Sequence, residues 1–459
     1  MARVRLPVVQ GTGALLADGS RPRIIPADVT GQLTWARRFV ALALLGLAGS
    51  LPWIHVRGAP ALFLDIGARR LFAFGATFNA QDGALLFLLV SGLGFSLVLV
   101  TTLFGRLWCG WTCPQTVLMD TIFRPLERWI EGSREARLRR EAGPWTASRV
   151  VRLAVKHALF ALAAIALAHG VLAYFVTAPG VFAMVARAPL RHLEAFTWTT
   201  AIAVIIYADL ALFREQLCLG VCPYGRLQGV LIDDDTITVG YDAERGEPRG
   251  KAGHVEGDCL DCHRCVVVCP TGIDIRNGSQ LDCVACAACV DACDDVMARA
   301  HRTRGLIRYD SVAGFAGKKR RFARPRVILY LGLLLVGALV ALITVRGRHT
   351  DAELFLMRLP GAPYQIEGDL VRNSFDAHLV SKQATAGLYT LTVDAPPGAD
   401  VVLPLRELTV DGMGSVHAPL FVTVPRKLAS PHPLVRLTAT RQGSAESVTT
   451  EVVLLGVSP

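Results

Sequence analysis

The chain has 459 residues, a formal net charge of +10 at pH 7 and a mean hydropathy of +0.41. Hydrophobic residues make up 52% of it, which excludes an ordinary soluble protein of this length. The positive charge does not indicate nucleic-acid binding, because the basic residues cluster beside apolar runs, as the positive-inside rule requires of membrane proteins.

Five apolar runs are each long enough to cross a bilayer, and they divide the chain into predicted domains. Residues 1–38 have no apolar core directly after a short basic start, so we interpret them as a cytoplasmic tail and not as a cleaved signal peptide. The other predicted domains are a four-span membrane domain (39–213), a cytoplasmic domain (214–326), a fifth span (327–345) and a β-domain (346–459). The predicted spans are Phe39–Val56, Ala84–Phe104, Ala158–Val176, Phe196–Phe213 and Val327–Val345, and residues 57–83 are predicted to form a loop.

The distribution of lysine and arginine between the spans predicts the orientation. The loops between the second and third spans and between the fourth and fifth are rich in both residues, whereas the other two loops carry few. This asymmetry places the N-terminus on the cytoplasmic side of the membrane and the C-terminus on the outside. All twelve cysteines then lie on the cytoplasmic side, where a reducing environment favours metal binding over disulfides.

Two copies of a C-x3-C-P motif follow the second and the fourth spans. The motif residues are Cys109, Cys113 and Pro114 in the first copy and Cys218, Cys222 and Pro223 in the second. A spacing of i, i+4 places two sulfurs on one face of a helix, but the proline indicates a turn or the start of a new helix.

Four thiolates that face one another at the membrane surface would suit Cu(I), zinc or a further iron–sulfur cluster. One alternative is a set of buried thiols that only pack between helices, and another is a redox-active dithiol. Both copies carry the proline and lie at the same depth, so we favour a functional site without deciding among these ligands.

The segment between the fourth and fifth spans contains two cysteine runs of identical spacing. Each run reads C-x2-C-x2-C-x3-C, and Pro270 follows the first where Asp294 follows the second. The spacing is that of bacterial ferredoxins, which hold two 4Fe–4S clusters. The runs are Cys259, Cys262, Cys265 and Cys269, then Cys283, Cys286, Cys289 and Cys293.

The spacing also predicts which cysteines share a cluster. The first three of each run lie on one tight loop, whereas the fourth lies too far along the chain to fold back and reaches the other cluster. A structural zinc site fits poorly, because zinc usually takes two C-x2-C pairs, and disulfides would need an oxidising compartment. The predicted ligand sets are Cys259, Cys262, Cys265 and Cys293 for one cluster and Cys283, Cys286, Cys289 and Cys269 for the other.

The C-terminal domain has the pattern of a β-sandwich. Short alternating segments, bounded by Gly, Pro and Asp, predict about seven strands. The clearest of them are Phe375–Val380, Gly387–Val393, Leu420–Val424 and Leu434–Ala439. The domain contains no cysteine and nothing that indicates catalysis, so we expect a docking or stabilising module.

Three polar residues in or beside the spans are open candidates. A carboxylate such as Asp209 inside a span is costly and therefore a functional hypothesis, although it lies near the cytoplasmic end and can reach the interface. His157 and His169 are interpreted either as ligands of haem or copper or as packing residues. His263, inside the first cluster loop, is interpreted as shielding the cluster.

Taken together, these features resemble the FixG/RdxA/CcoG family, which are accessory proteins for the assembly of cbb-type cytochrome c oxidase. The resemblance covers nearly the entire chain, including both C-x3-C-P motifs and both ferredoxin runs. It also includes the sequence CDDVM at 293–297, GLIRYDS at 305–311 and RLPGAPYQIEGDLVRNSF at 358–375. The fold class that it implies is an α-helical membrane protein with five transmembrane spans, an inserted two-cluster ferredoxin domain and a C-terminal immunoglobulin-like sandwich.

The resemblance implies a membrane iron–sulfur protein that supports copper delivery to the oxidase by reducing Cu(II) to Cu(I) on the cytoplasmic side. The eight ferredoxin cysteines would hold two 4Fe–4S clusters. The resemblance carries four further cysteines over as the C-x3-C-P cysteines of the family, and our own hypothesis is that they are the catalytic, copper-binding residues: Cys109, Cys113, Cys218 and Cys222. The implied partners are copper ions, a copper-exporting P-type ATPase, copper chaperones and an unknown cytoplasmic electron donor.

Two rival functions are consistent with the same motifs. The first is a quinol-oxidising membrane polyferredoxin, which shares the C-x3-C-P motif but is disfavoured by the periplasmic β-domain. The second is a non-catalytic assembly scaffold or copper buffer. Clusters that cannot be reduced and then reoxidised by Cu(II) would favour this second function.

Overall fold

The computed structural model describes residues 24–56, 59–67, 70–79, 83–187, 189–250, 257–347, 352–381, 383, 385–412, 414–427, 433–443 and 447–456. The chain divides into two compact units, Met1–Val340 and Ala341–Pro459. The first unit contains every cysteine, and the second contains the C-terminal strands.

The α-helices are α1 (Gln32–Ser50), α2 (Gly83–Phe104), α3 (Leu107–Trp111), α4 (Pro114–Leu118), α5 (Arg124–Glu131), α6 (Arg134–Ala142), α7 (Ala147–Val176), α8 (Ala178–Val185), α9 (Leu193–Tyr207), α10 (Pro223–Leu231), α11 (Ala243–Gly246), α12 (Arg264–Val267), α13 (Ala288–Arg299), α14 (Val312–Phe315) and α15 (Pro325–Gly347). Three π-helical turns, Met119–Phe123, Ala208–Phe213 and Leu217–Val221, extend the helices that flank the C-x3-C-P motifs.

The strands are β1 (His55–Val56), β2 (Ala59–Pro60), β3 (Leu62–Asp65), β4 (Arg70–Ala73), β5 (Ala76–Asn79), β6 (Thr238–Tyr241), β7 (Ile307–Asp310), β8 (Ala352–Arg358), β9 (Gln365–Glu367), β10 (Leu370–Ser381), β11 (Gly387–Asp394), β12 (Asp400–Val402), β13 (Glu407–Val410), β14 (Ser415–Pro425), β15 (Leu434–Arg441) and β16 (Ser447–Val453).

Four helices in the described part of the chain are long and apolar enough to cross a membrane. They are Gly83–Phe104, Ala147–Val176, Leu193–Phe213 and Pro325–Thr344. Their exposed surfaces carry many large apolar side chains, as lipid-facing helices do. These helices correspond to the second to fifth predicted spans and indicate a membrane protein.

The first predicted span, Phe39–Val56, is not confirmed. Helix α1 ends at Ser50, in agreement with the tendency of helices to end before a residue that precedes proline, here Pro52. The apolar part of α1 after Arg38 is only about 18 Å long at 1.5 Å per residue, against a hydrocarbon core of about 30 Å. A five-span architecture therefore goes beyond what the structure supports.

The loop predicted for residues 57–83 is also wrong in part. Strands β1 and β2 pair antiparallel, and β3, β4 and β5 form an antiparallel sheet with Phe63 stacked on Phe72. Each of these strands is four residues or shorter, below the length at which alternation in the sequence is a clear signal.

The ferredoxin segment is closed by pairing of β6 with β7, and it is fixed to the end of α2. The carbonyl of Leu103 accepts from the backbone N–H of Ile237 at 3.0 Å. The carbonyl of Thr102 accepts from the Thr236 hydroxyl at 2.9 Å and from the Arg324 guanidinium at 3.0 Å. The last carbonyls of a helix have no hydrogen-bond donor within the helix, and here residues of the ferredoxin segment donate to them.

A buried ion-pair network joins α5, which follows the first motif, to the end of the fourth span, which precedes the second motif. Glu127, on α5, accepts from Arg214 at 2.6 Å and 2.9 Å and from Arg137 at 3.2 Å. Burial by itself would raise the pKa of Glu127, but the hydrogen bond and charge of Arg214 hold it below its usual value. The carboxylate thus stays ionised and locks the end of the fourth span to α5.

We expect Glu127→Gln to lower the free energy of unfolding by about 3–5 kcal/mol. The substitution removes the carboxylate that pairs with the buried Arg214 and Arg137 guanidinium groups and leaves Arg214 with Glu215 at 3.9 Å. Thermal unfolding in detergent measures this change. The matched control is Asp295→Asn, which removes an exposed pair with Arg299 and should cost about 0.5 kcal/mol or less. Equal melting temperatures for the two variants would contradict a structural role for the network.

The C-terminal unit is a two-sheet β-sandwich. One sheet has the strand order β12-β14-β10-β8 with β9 paired to β10, and the other has the order β13-β11-β15-β16. Alternate residues point into the core, for example Val371, Phe375 and Leu379 on β10. The sandwich prediction is confirmed, with nine strands described where about seven were expected.

Candidate functional site

The two ferredoxin loops adopt the same backbone conformation around their second cysteine. In the first loop Asp261 and His263 have φ values of 49° and 54°, and in the second Ala285 and Ala287 have 52° and 57°. A left-handed backbone is costly for non-glycine residues and persists only where the fold requires it. The matching torsions indicate that both loops enclose the same kind of bound group.

Each loop then enters a helix, which places the later cysteines. His263 precedes α12, which carries Cys265, and Ala287 precedes α13, which carries Cys289 and Cys293. One turn of α13 therefore separates Cys289 and Cys293, and this helix can contribute one thiol to each of two adjacent clusters.

The fourth cysteine of each run lies beside the opposite loop. Burial, followed by the charges of Cys262, Asp294 and Cys259, raises the pKa of Cys293 to about 12. Burial, followed by the charge of Cys286, raises the pKa of Cys269. These neighbours support the crossed ligand sets, which stay a prediction.

The residues present fit iron–sulfur clusters. One internal cavity is lined by all four cysteines of the second set, and Cys265 of the first set lines it too, so the two sets are adjacent. Sulfur ligands also receive hydrogen bonds, from the Ala285 N–H to Cys283 at 3.4 Å and between Thr271 and Cys269 at 3.3 Å. The described residues include no group of three or more His, Cys, Asp or Glu arranged for a single metal ion.

The two C-x3-C-P motifs are built as structural repeats. A left-handed residue follows each span, Gly105 with φ 54° and Arg214 with φ 55°. The second cysteine of each motif, Cys113 or Cys222, is extended and precedes a helix whose first residue is the proline. The prediction that the proline starts a new helix is confirmed in both copies.

The repeats bring all four motif cysteines into one neighbourhood. Burial, followed by the charges of Cys113, Cys109 and Cys222, raises the pKa of Cys218 to about 12. Burial also raises the pKa of Cys109, while its hydrogen bond with Gln228, at 3.4–3.5 Å, acts in the opposite direction. We call these four residues the membrane thiols.

The membrane thiols lie against the second ferredoxin loop. A Cβ atom at Gly110 would lie 2.6 Å from the carbonyl oxygen of Val284 and 2.7 Å from that of Ala285, so the backbones are in direct contact. Trp111 donates to the Tyr309 hydroxyl at 2.9 Å, which in turn donates to the Ala285 carbonyl at 2.6 Å. We call the cluster site of Cys283, Cys286, Cys289 and Cys269 proximal and the site of Cys259, Cys262, Cys265 and Cys293 distal.

The weaker candidates have structural partners. Asp209 accepts from Gln115 at 3.1 Å, and Gln115 also donates to the Arg214 carbonyl at 3.0 Å, so this pair fixes α4 to the fourth span. His157 contacts the Tyr207 hydroxyl at 2.8 Å, and His169 lies 2.8 Å from the carbonyl of Ile165 in its own helix. Asp209 also lies near Cys113, because burial raises the pKa of that thiol and the charge of Asp209 adds to the rise.

His263, which is predicted to shield the cluster, has polar neighbours. Its Nδ1 lies 2.8 Å from the Arg276 guanidinium, which also donates to Asp261 at 2.6 Å and to Asp274 at 2.7–2.8 Å. His263 therefore belongs to a polar cluster that braces the distal loop.

Three models of protein families match the chain. The model described as a 4Fe-4S dicluster domain matches residues 213–312, and the one described as a 4Fe-4S binding domain matches residues 85–133. A third, for the IG-like fold at the C-terminal of FixG, matches residues 342–456. These matches confirm the iron–sulfur domain and the immunoglobulin-like fold of the C-terminal unit.

Several relatives match over most of their length. Nitrogen fixation protein FixG of Rhizobium meliloti is 33% identical over 93% of this chain and 89% of its own. Protein RdxA of Cereibacter sphaeroides is 35% identical over 82% of this chain and 83% of its own, and protein RdxB of that organism is 33% identical over 88% and 86%. A solved FixG-related protein from Vibrio parahaemolyticus matches with 16% identity and a TM-score of 0.20 over 22% of this chain and 94% of its own.

Proposed function

Since this chain belongs to the FixG/RdxA family, we propose that it is a membrane electron-transfer protein that reduces Cu(II) to Cu(I) for the assembly of cbb-type cytochrome c oxidase. Iron–sulfur electron transfer follows from the family and its 4Fe-4S domains. Copper as the electron acceptor is the proposed part.

The proposal rests on one observation, the backbone contact between the first C-x3-C-P motif and the proximal loop. Gly110 allows the Val284 and Ala285 carbonyls to touch the motif, and Cys109 packs against the cluster of apolar residues around Cys286. When bound, iron–sulfur clusters supply one-electron transfer. The chain thus holds a set of soft ligands directly beside the residues that would carry a one-electron donor.

The chemistry requires one electron for each copper ion. Cu(II) bound at the membrane thiols takes up that electron and becomes Cu(I), and the electron originates from a reduced one-electron carrier of the cytoplasm. Thiolates are soft ligands that select Cu(I), so the site would favour the product over the substrate. The membrane thiols do not form a ready single-ion site among the described residues, so a subset of them would hold the copper.

The orientation and the partners belong to the same proposal. Arginine and lysine are abundant between the second and third spans and before α15, which supports a cytoplasmic location of the cysteines. The C-terminal sandwich would then lie in the periplasm of the inner membrane. A copper-exporting P-type ATPase and copper chaperones of oxidase assembly are the proposed acceptors of Cu(I).

A further iron–sulfur cluster at the membrane thiols is the second candidate. The match of the 4Fe-4S binding model to residues 85–133, which include Cys109 and Cys113, favours it. It would fit the quinol-oxidising polyferredoxin as well as a longer electron path to copper. Iron analysis distinguishes the two, because two clusters give roughly eight iron atoms per chain and three give roughly twelve.

The test uses the full-length protein in detergent, purified without oxygen, reduced with dithionite and freed of excess reductant. We expect Cu(II) to be converted to Cu(I), measured with a Cu(I)-specific chelator, while the clusters become oxidised. Cys109→Ala combined with Cys218→Ala should slow this conversion by roughly tenfold or more, because soft ligands are lost, and should leave the ferredoxin clusters in place.

Two controls make the result specific. Thr112→Ser changes a residue within the first motif without removing a thiol and should keep the normal rate. Protein without iron gives the background of Cu(I) that free thiols form as they are oxidised to disulfides, and the cluster-dependent rate is the difference from it. A wild-type rate in the double cysteine variant, with its iron content unchanged, would show that copper is not reduced at the membrane thiols, and clusters that Cu(II) cannot reoxidise would favour the scaffold function.

A further inference from the structure

Two arginines lie beside Cys286 of the proximal site. Arg37 from α1 and Arg124 from α5 line one cavity together with Cys286. Burial would lower the pKa of Arg37, but negative charge on Asp120 and Cys286 raises it overall. Burial would lower the pKa of Arg124 too, but the negative charges of Asp120, Glu215 and Cys286 raise it overall. Both guanidinium groups therefore lie close enough to the Cys286 sulfur to interact with its charge.

Helix α1 is held in this position by a residue of the cluster helix. Asp291, between Cys289 and Cys293, accepts from the Leu33 N–H at 3.2 Å, from the Thr34 N–H at 2.7 Å and from the Thr34 hydroxyl at 2.6 Å. These are the bonds that an N-cap side chain normally makes within its own helix. The carboxylate of α13 therefore caps α1 and fixes Arg37, one turn later, beside Cys286.

The distal site has the opposite charge environment. The charge of Asp294 contributes, after burial and Cys262, to the raised pKa of Cys293. Burial raises the pKa of Cys265, the charge of Arg276 acts against this rise, and the charge of Asp274, a smaller effect, adds to it. Arg276 is itself paired with Asp274 and Asp261. Around the distal thiols, three carboxylates (Asp261, Asp274 and Asp294) thus outnumber two guanidinium groups, Arg276 and the neighbouring Arg249.

We propose that Arg37 and Arg124 raise the reduction potential of the proximal cluster above that of the distal cluster, which directs electrons toward the membrane thiols. Reduction adds negative charge to a cluster, so nearby cations stabilise the reduced state and nearby carboxylates destabilise it. Burial acts in the other direction, because no proximal cysteine is exposed whereas Cys262 of the distal site is. Asp120 and Glu215 balance Arg37 and Arg124 in number, but Arg106 adds a third positive charge near Cys283 of the proximal site. The direction of electron flow in this inference rests on the proposed function, whereas the reduction potentials of the two clusters can be measured without it.

The test is an EPR-monitored redox titration of the full-length, anaerobically purified protein. We expect Arg37→Gln to move the midpoint potential of one cluster to a more negative value and to leave the other unchanged. Arg37→Lys, which keeps the charge, should restore the normal value. The matched control is Arg38→Gln, since Arg38 is the next residue of the same helix and stacks on Trp35.

A variant at the distal site gives an independent measurement. Asp294→Asn keeps an acceptor for the Gly305 N–H, which lies 2.8 Å away, and should move the other cluster to a more positive potential. Equal shifts in Arg37→Gln and Arg38→Gln, shifts of both clusters together, or no shift would overturn the proposal. If Arg37→Gln fails to retain iron, the Asp294→Asn result decides. No copper is present in this titration. The inference can therefore fail while the proposed function stands, and the proposed function can fail while the difference between the cluster potentials stands.

Discussion

Gly110→Ala is expected to lower the rate of Cu(II) reduction by roughly tenfold or more while both ferredoxin clusters are retained. A Cβ atom at this position would lie 2.6 Å from the Val284 carbonyl oxygen and 2.7 Å from that of Ala285. Both obstacles are backbone atoms of the proximal loop, which cannot move as the end of a flexible side chain can. The proximal loop and the first motif must therefore separate, at an overpacking cost of about 1–3 kcal/mol.

The second motif offers a matched control for this substitution. Gly220 lies between Cys218 and Cys222, as Gly110 lies between Cys109 and Cys113, but a Cβ atom at Gly220 meets nothing within 4 Å. Gly220→Ala should therefore reduce copper at the wild-type rate. The measurement is the single-turnover rate of Cu(I) formation in reduced protein, together with the iron content of each variant.

The comparison separates electron transfer from copper binding. If Gly110→Ala and Gly220→Ala both keep the wild-type rate, electrons do not reach copper through the contact at Gly110. A loss of iron from Gly110→Ala alone would show instead that the contact stabilises the proximal loop, and the copper affinity of the membrane thiols would then be expected to stay normal.

The chemistry-bearing residues of this protein could be predicted because their spacing is set by local geometry. Three cysteines at intervals of three fit one loop, and a proline after Cys113 or Cys222 can only follow a helix break. The structure agrees on both points, with matching loop torsions and with Pro114 and Pro223 at the starts of their helices. The sandwich was predictable for a similar reason, since its long strands alternate clearly between buried and exposed residues.

The contacts that join the parts could not be predicted, because they link residues far apart in the sequence. Asp291 caps α1 from 258 residues away, and only the glycine at the cap position, Gly31, hinted that the helix lacks a local cap. The left-handed residues Asp261 and Ala285 gave no signal either, since neither is the glycine that this conformation favours. Gly110 was visible as part of the motif, but not as a point of contact.

The first predicted span is the one that the structure does not confirm. The run from Phe39 to Val56 is apolar, but only its part up to Ser50 is helical, and the first half of that helix docks on the ferredoxin segment. The partners that fix this first half, Asp291 and Asp120, lie far along the sequence. Apolar side chains such as Phe39 and Leu42 are exposed in the structure, so α1 still has a face for lipid.

Pairs of cysteine substitutions are expected to show the crossed ligand sets directly. Cys269 and Cys283 belong to the same predicted cluster, although they lie in different runs. Cys269→Ala combined with Cys283→Ala should therefore leave one intact 4Fe–4S cluster and roughly four iron atoms per chain. Cys259 and Cys269 lie in one run but are predicted to serve different clusters, so Cys259→Ala combined with Cys269→Ala should leave no intact 4Fe–4S cluster.

The two pairs exchange outcomes if each run binds its own cluster, which makes the measurement decisive. The readout is the EPR signal of intact 4Fe–4S clusters in the reduced protein, because a site with three remaining thiolates can keep a three-iron remnant that iron analysis alone would count. The charges around Cys293 favour the crossed result, since Cys262 and Cys259 of the other run are its neighbours in the structure. An intact cluster in the Cys259 and Cys269 pair, and none in the Cys269 and Cys283 pair, would refute the crossing and would also remove the basis for α13 as the helix shared between the two sites.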